Sequence, residues 1–411
     1  MSRIDDLMEE LAPEGVQFKT LGDISIKVSS GGTPASGRSE YYGGTIPWLR
    51  TQEVNYTDIT STGMTITEEG LRSSSAKWIP AHCVIVAMYG ATAAKVAINA
   101  IPLTTNQACC NLQIDPKQAE YRFVFHWVAN EYERLKALGE GSQSNLNGQK
   151  VKQYPIPVPP LEVQREIVRV LDTFSSLGAD LAAELSTELE ARRRQYAYWR
   201  DDLFAFRDGN SVRRVPMGEV GEFIRGRRFT KNDVVDEGIP SIHYGEIYTT
   251  YGIATDEAAS HVRKDLAPQL RYAKPCDVVI AAVGETVEDV GKGVAWLGAT
   301  DVAIHDDCFL YRSSQLNAKF VSYYLRTSEL NRSKAKYVAR AKVNRLSGEN
   351  LAKLLIPVPK LDEQERIVSI LDNFDTLLAD LSAALPAELA ARRKQYEYYR
   401  ENLLTFPEAI A

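Results

Sequence analysis

Long apolar runs are missing from this 411-residue chain. No stretch reaches the ~18 apolar residues of a membrane-spanning helix. The opening MSRIDDLMEELAPEG is acidic where a secretory signal would be basic and then apolar, so a cytoplasmic or nuclear protein without membrane contact is expected, cytoplasmic being the first choice. Cysteine is scarce: Cys83, Cys109, Cys110, Cys276 and Cys308 show no CxxC spacing, which argues for reduced core thiols and against a metal site. Catalytic signatures are absent as well. There is no HExxH, no GxSxG, no GxGxxG after a strand and no Asn-Pro-Pro-aromatic stretch of an amino-methyltransferase. GETVEDVGKG (Gly284–Gly293) resembles a phosphate loop but has two residues too many before Gly-Lys and Gly293 where the hydroxyl belongs. The five histidines, His82, His126, His243, His261 and His305, are dispersed and read as core or surface residues. An excess of basic charge is missing too: the net charge of −6 argues mildly against nucleic acid, although a global sum conceals a local basic face.

What is present is a repeat. IPVPPLEVQREIVRVLDTFSSLGADLAAELSTELEARRRQYAYWRDDLFAF (Ile156–Phe206) recurs 200 residues later as IPVPKLDEQERIVSILDNFDTLLADLSAALPAELAARRKQYEYYRENLLTF (Ile356–Phe406). Of the 51 pairs 28 are identical, too many for two helices that share only a composition, so the chain is two copies of one unit. Ile167, Val170, Phe174, Leu177, Leu181, Leu185, Leu189, Tyr196, Trp199, Leu203 and Phe206 fall at helical spacing, and the second copy repeats the stripe. Two long helices packed antiparallel as a coiled coil are expected, with Pro386 kinking or restarting the second. With 44% apolar and 25% charged residues the rest is ordinary globular protein.

Residues 4 to 11 form a short amphipathic helix, expected to dock on the end of the second long helix. From Gly15 to about Tyr154, short β-branched and aromatic runs (Ile24–Val28, Ile46–Leu49, Cys83–Tyr89, Lys95–Ile98, Asn111–Ile114) surround one helix, Tyr121–Leu138. Val212 to about Leu355 shows the same order, with strands at 278–283, 294–297 and 308–311 and a helix over 318–328. The landmarks align (VQFKTLGDI with VRRVPMGEV, Gly90 with Gly284, NLNGQKVKQYPIPVP with RLSGENLAKLLIPVP) while the sequence between them diverges. The expected fold is α+β: two mixed α/β globular domains, two long antiparallel coiled-coil helices and an internal pseudo-twofold repeat. The boundaries expected are 1–155, 156–207, 208–355 and 356–411.

Candidate recognition residues lie in the globular parts. The loop Gly31–Val54 carries Thr33, Arg38, Tyr41, Tyr42, Trp48, Arg50, Gln52 and Glu53, and GSQSNLNGQK adds Ser142, Gln143 and Asn145. Arg, Gln and Asn are the side chains that read guanine and adenine edges. The alternative is a polar surface loop around a buried Trp48. In the second part RGRRFTK supplies Arg225, Arg227, Arg228 and Lys231, and RSKAKYVARAKVNR ends on Arg340, Lys342, Asn344 and Arg345. IHYGEIYTTYG places His243, Tyr244, Tyr248 and Tyr251 beside them. Two such runs in one small domain favour phosphate binding over a merely solvated face.

The paired IPVPPLEVQREIVRVLD and IPVPKLDEQERIVSILD starts, the ARRRQYAYWRDDLFAF and ARRKQYEYYRENLLTF ends and GGTPxxxxxxYYGGTIPWL resemble the specificity (S) subunit of type I restriction-modification systems, over the whole chain. The resemblance implies two target recognition domains, each reading half of a split double-stranded DNA site, with the helices setting the gap. Catalysis would belong to partners: two methyltransferase (M) subunits, which carry S-adenosylmethionine and methylate adenine N6, and restriction (R) subunits. The chain itself would be no enzyme and hold no cofactor. M subunits would dock on the helices, where Arg192, Tyr196, Trp199, Arg392, Tyr396 and Tyr399 are the expected contacts. A specificity subunit of a methylation-only system and a coiled-coil protein scaffold are the other readings.

Overall fold

The computed structural model describes residues 3–139, 145–206, 212–339 and 343–409. Two compact units emerge: one takes the chain up to Ala183 together with the residues from Pro386 on, the other spans Glu184–Leu385. Each long helix, Leu161–Leu203 and Leu361–Leu403, has 43 residues and gives one half to each unit.

In the first unit a five-stranded sheet runs in the order Ser25–Ser30, Cys109–Ile114, Val84–Ala87, Val96–Asn99 and Asp58–Ile59, antiparallel except for the last pair. Val84–Ala87 and Val96–Asn99 are buried at every residue, which is why these runs read as continuous apolar strands. A four-stranded sheet adds Thr65–Ile66, Tyr42–Leu49, Leu103–Thr105 and Trp78–Ile79. Phe18–Thr20 pairs with Pro155–Pro157, tying the start of the domain to the extended segment before the long helix. The helix expected over Tyr121–Leu138 is two, Tyr121–Asn130 and Tyr132–Ala137. It breaks at Glu131, whose buried carboxylate accepts from the Tyr154 hydroxyl at 2.8 Å and pairs with Arg134.

One core joins Val163, Ile167 and Leu171 to Phe123, Val128 and Leu404, with Tyr396, Leu403 and Phe406 packed against it. Phe174 stacks on Tyr399 with ring centroids 5.6 Å apart. The beginning of the first long helix therefore runs beside the end of the second within this unit. The short helix Arg3–Leu11 buries Ile4 in the same core, bordering a groove with Leu403 and Phe406.

The second unit repeats the plan. Its first sheet runs Glu222–Arg225, Cys308–Arg312, Val278–Ala281, Gly293–Trp296 and Ala254–Thr255; its second runs Val234–Val235, Ser260–Val262, Ile239–Ile242, Val302–Ile304 and Tyr272–Ala273. Arg214–Pro216 pairs with Leu355–Pro357, the counterpart of the tie in the first unit. Here too the expected helix is shorter, Ala318–Tyr324 followed by Ser328–Ala335. Ile367, Val368 and Leu371 enter the core with Phe204 and Phe320, and Tyr196 packs on Phe374 at 6.4 Å.

The stripe is buried mainly at the helix ends. Leu177 is 60% exposed and Leu377 59% exposed, so the middle of each helix is a thin seam. Contrary to the expected restart, the second helix continues through Pro386. Pro386 is exposed, between the half-buried Leu385 and Leu389, and removes one helical backbone bond.

A buried glutamine joins each long helix to its domain. Gln164 accepts from Glu120 N–H at 2.8 Å and donates to Pro159 O at 2.7 Å. Gln364 does the same with Asn317 N–H (2.7 Å) and Pro359 O (3.0 Å). Gln364→Ala orphans those buried groups, which costs about 2–3 kcal/mol. The expected result is a melting temperature lower by roughly 5–10 °C, read by calorimetry.

His126, only 2% exposed, donates from Nε2 to Asp172 at 2.8 Å beside Arg122. Burial lowers its pKa below 6.5, more than Asp172 raises it. Asp172, held down to about 2, is already ionised at neutral pH. Because the folded pKa lies below the unfolded one, the unfolded chain binds the extra proton and acidification destabilises the fold. This contribution is complete above about pH 6.5 and is lost as the pH falls from there. In the second unit Tyr323 fills the corresponding place, its hydroxyl 2.8 Å from Asp372. Denaturant midpoints between pH 7 and pH 5 should fall for the native chain and fall less for His126→Tyr.

Candidate nucleic-acid interface

The clearest site lies in the second unit, where two basic segments distant in sequence meet. Strand Glu222–Arg225 pairs with Cys308–Arg312, placing Arg225 opposite Phe309. Val283–Gly284 pairs with Asn344–Arg345 and brings Arg345 to the same end. The result is a pocket of about 400 Å³ lined by Arg225, Arg228, Lys231, His243, His305, Asp306, Asp307 and Arg345, with Phe229 and Thr230.

Two of its arginines are held by acids. Arg225 donates from Nε to the Asp306 backbone carbonyl at 2.8 Å and lies with Nη2 3.7 Å from Asp306 Oδ2, and Arg345 Nη1 lies 3.2 Å from Asp307 Oδ1. Arg227, Arg228 and Lys231 are exposed and, among the described residues, form no ion pair. His243 packs on His305 and Tyr244 at 4.6 and 4.3 Å. Burial, and then His305, lower its pKa, which favours a neutral ring at this cationic rim. His305, Asp306 and Asp307 place potential metal-ligand atoms within 4.8 Å of one another. The set suits a cation poorly: His305 Nδ1 already accepts from Asp307 N–H at 3.1 Å, and both carboxylates face arginines.

Other expected residues of this unit serve the scaffold. Tyr251 accepts from Ala259 N–H at 2.7 Å, and burial pushes its hydroxyl up to about 12. Tyr248, also pushed up to about 12, lies 6.2 Å from the half-buried Tyr244. Asn344 donates to Glu285 O at 2.8 Å and fastens the Gly284–Gly293 loop. Lys334, within the basic run, is fully buried and donates to Glu288 O at 3.0 Å, a strut under the same loop and no part of a basic face. Arg340 and Lys342 lie outside the described residues.

In the first unit Trp48 is a core residue, which removes it from the candidate contacts. It is 4% exposed, donates from Nε1 to Gly32 O at 2.9 Å and meets Tyr42 edge-on. The Tyr42 hydroxyl donates to Pro34 O, so Tyr42 braces the loop as well. Arg50 and Glu53 form an ion pair at 3.6 Å, with Glu53 also accepting from Arg50 and Gly63 N–H. Gly31 packs against Thr105 O so tightly that a Cβ would clash. Thr33, Arg38, Gln52 and Asn145 are exposed, Arg38 alongside Glu40, and Tyr41 is half-buried. Ser142 and Gln143 lie outside the described residues. This loop is thus the polar turn around a buried Trp48, with an exposed rim.

On the helices Arg192 pairs with Glu188 and Arg392 with Glu388, each at 2.8 Å. Trp199 is exposed beside Tyr198. Tyr196 and Tyr396 turn toward their cores under Arg200 and Arg400, and Tyr399 lies against Phe174. Sequence reasoning missed Asp306 and Asp307. Their signal was position, directly before Cys308 as Gln107 and Ala108 stand before Cys109.

Comparison with known proteins agrees with this architecture. The family described as type I restriction modification DNA specificity domain matches residues 13–191 and 211–391. A type I restriction enzyme specificity subunit of Haemophilus influenzae is 33% identical over 294 residues, 69% of this chain and 72% of that one. The EcoR124I/EcoR124II specificity subunit of Escherichia coli is 30% identical over 309 residues, 72% and 73% of the two chains. Among solved structures, a chain from work on complex assembly and conformational transition of the type I R-M system has a TM-score of 0.74 at 19% identity, covering 96% of this chain and 98% of that one. The HsdS subunit from Thermoanaerobacter tengcongensis has a TM-score of 0.61 at 18% identity, covering 96% and 97%. With the family matched once in each repeat, the chain belongs to the type I restriction-modification specificity subunits, the DNA sequence-recognition components of those systems.

Proposed function

We propose that this chain reads a bipartite double-stranded DNA site, one half with residues 1–155 and the other with 208–355, while the long helices (156–207 and 356–411) set the unread gap and dock two methyltransferase subunits. Methylation of adenine N6 from S-adenosylmethionine, and cleavage by restriction subunits, then take place on those partners, in the cytoplasm. The observation that carries the reading is the meeting of Arg225, Arg228, Lys231 and Arg345 at one pocket in a chain of net charge −6. A local cation cluster suits phosphates, and Arg paired with Asp is fixed in direction for a base edge. In the first domain Thr33, Arg38, Gln52 and Asn145 form the exposed counterpart.

With so few free cations, the chain by itself has little non-specific electrostatic affinity. Fluorescence anisotropy on duplex DNA should show weak, salt-sensitive binding by the isolated chain and specific binding once the methyltransferase partner is added. Tight specific binding by the chain alone would contradict the proposal.

A further inference from the structure

The two globular domains place the same backbone at the candidate interface and equip it with opposite chemistry. In the second unit Arg225 faces Phe309, Arg227 N–H donates to Ile304 O, Ala282 N–H to Asp307 O and Leu346 N–H to Ala282 O. In the first, Ser30 faces Cys110, Gly32 N–H donates to Thr105 O, Met88 N–H to Ala108 O and Leu146 N–H to Met88 O. The ladders superimpose residue by residue. Thr33 thus stands where Arg228 does, Asn145 where Arg345 does, and Asn106, Gln107 and Ala108 where His305, Asp306 and Asp307 do. A charged, ion-paired rim in one domain is a neutral, amide-rich rim in the other.

Gln107 is exposed, and its Oε1 accepts from the Thr33 hydroxyl. Its Nε2 has no partner among the described residues. An amide anchored this way presents two N–H donors beside a remaining lone pair, the pattern that matches the adjacent N7 acceptor and N6 donor of adenine in the major groove. A solvated loop would leave the amide free to rotate; the Thr33 contact is what aims it.

We infer that Gln107, oriented by Thr33, is a specificity-determining residue of the first domain and reads an adenine edge in its half-site. The inference rests on the two-reader function proposed above.

The test uses the full chain assembled with its methyltransferase partner, with the methylated motif read by genome sequencing for Gln107→Ala, Gln107→Glu and, as a marker of the second half-site, Arg345→Ala. The expected result is that Gln107→Ala relaxes one base pair of one half-site, losing about 5- to 150-fold discrimination there. Gln107→Glu, which can only accept, should shift the same position toward cytosine, whose N4 donates. Arg345→Ala should alter the other half. If both Gln107 variants leave every base unchanged, Gln107 is no reader, although two separate readers remain. If Gln107 and Arg345 variants alter the same half-site, the two-reader function itself falls. Gln107 lies outside the core, so neither substitution threatens folding, and an unchanged melting temperature confirms it.

Discussion

Inserting four residues after Glu184 lengthens the unread gap of the recognised DNA by one or two base pairs and leaves both half-sites as they were. The insertion adds about one turn to the first long helix, roughly 6 Å at 1.5 Å per residue, and duplex DNA rises about 3.4 Å per base pair. Four residues also rotate the C-terminal half of that helix by only about 40° beyond a full turn. Leu181, Leu185 and Leu189 are only half-buried there, so a modest rotation is absorbed. Two residues instead turn the stripe by about 200° and take Tyr196 and Leu203 away from the core they join. That variant should fail to assemble. An active four-residue variant with an unchanged gap would show that the helices do not set the spacing.

Replacing Arg227, Arg228 and Lys231 together by Ala weakens DNA binding by the assembled complex roughly 100- to 1,000-fold at about 0.1 M salt, and lowers the salt-dependence slope by about three. These are the cations of the pocket region with no acidic partner among the described residues, so their loss orphans no carboxylate. Arg225 and Arg345 are a poorer choice, because they neutralise Asp306 and Asp307. A salt titration of binding separates the cases: unchanged slope means the three side chains meet no phosphate.

The features legible in the sequence were those carried by periodicity over many residues. Of the expected stripe, Ile167 enters the core with Val170 packed against it, while Val163 and Leu171, which the stripe did not include, are buried as well, and Ile4 borders a groove with Leu403 as the amphipathic start suggested. The landmark Gly90 does correspond to Gly284, two residues past Met88 and Ala282 in matching ladders. Local competition decided the departures. The helix ends at Glu131, whose carboxylate is tied to Tyr154, 23 residues away, and the second long helix runs on through an exposed Pro386. The recognition loop was legible as composition only: Trp48 and Arg50 have the right chemistry for DNA, yet one is core and the other caps a turn. The charged pocket depends on the register of Arg225 against Phe309 and of Val283 against Arg345, and strand register between segments dozens of residues apart has no one-dimensional signature.

The central claim is that each globular domain reads its own half of the site. The most direct measurement is the methylated motif, by genome sequencing, of the assembled complex carrying Arg225→Ala and Arg345→Ala, the two arginines whose acidic partners aim them at a base edge, at a partner concentration high enough to restore methylation. One half-site should become degenerate while the other, and the gap between them, stay unchanged base for base. Degeneracy spread over both halves would contradict the account.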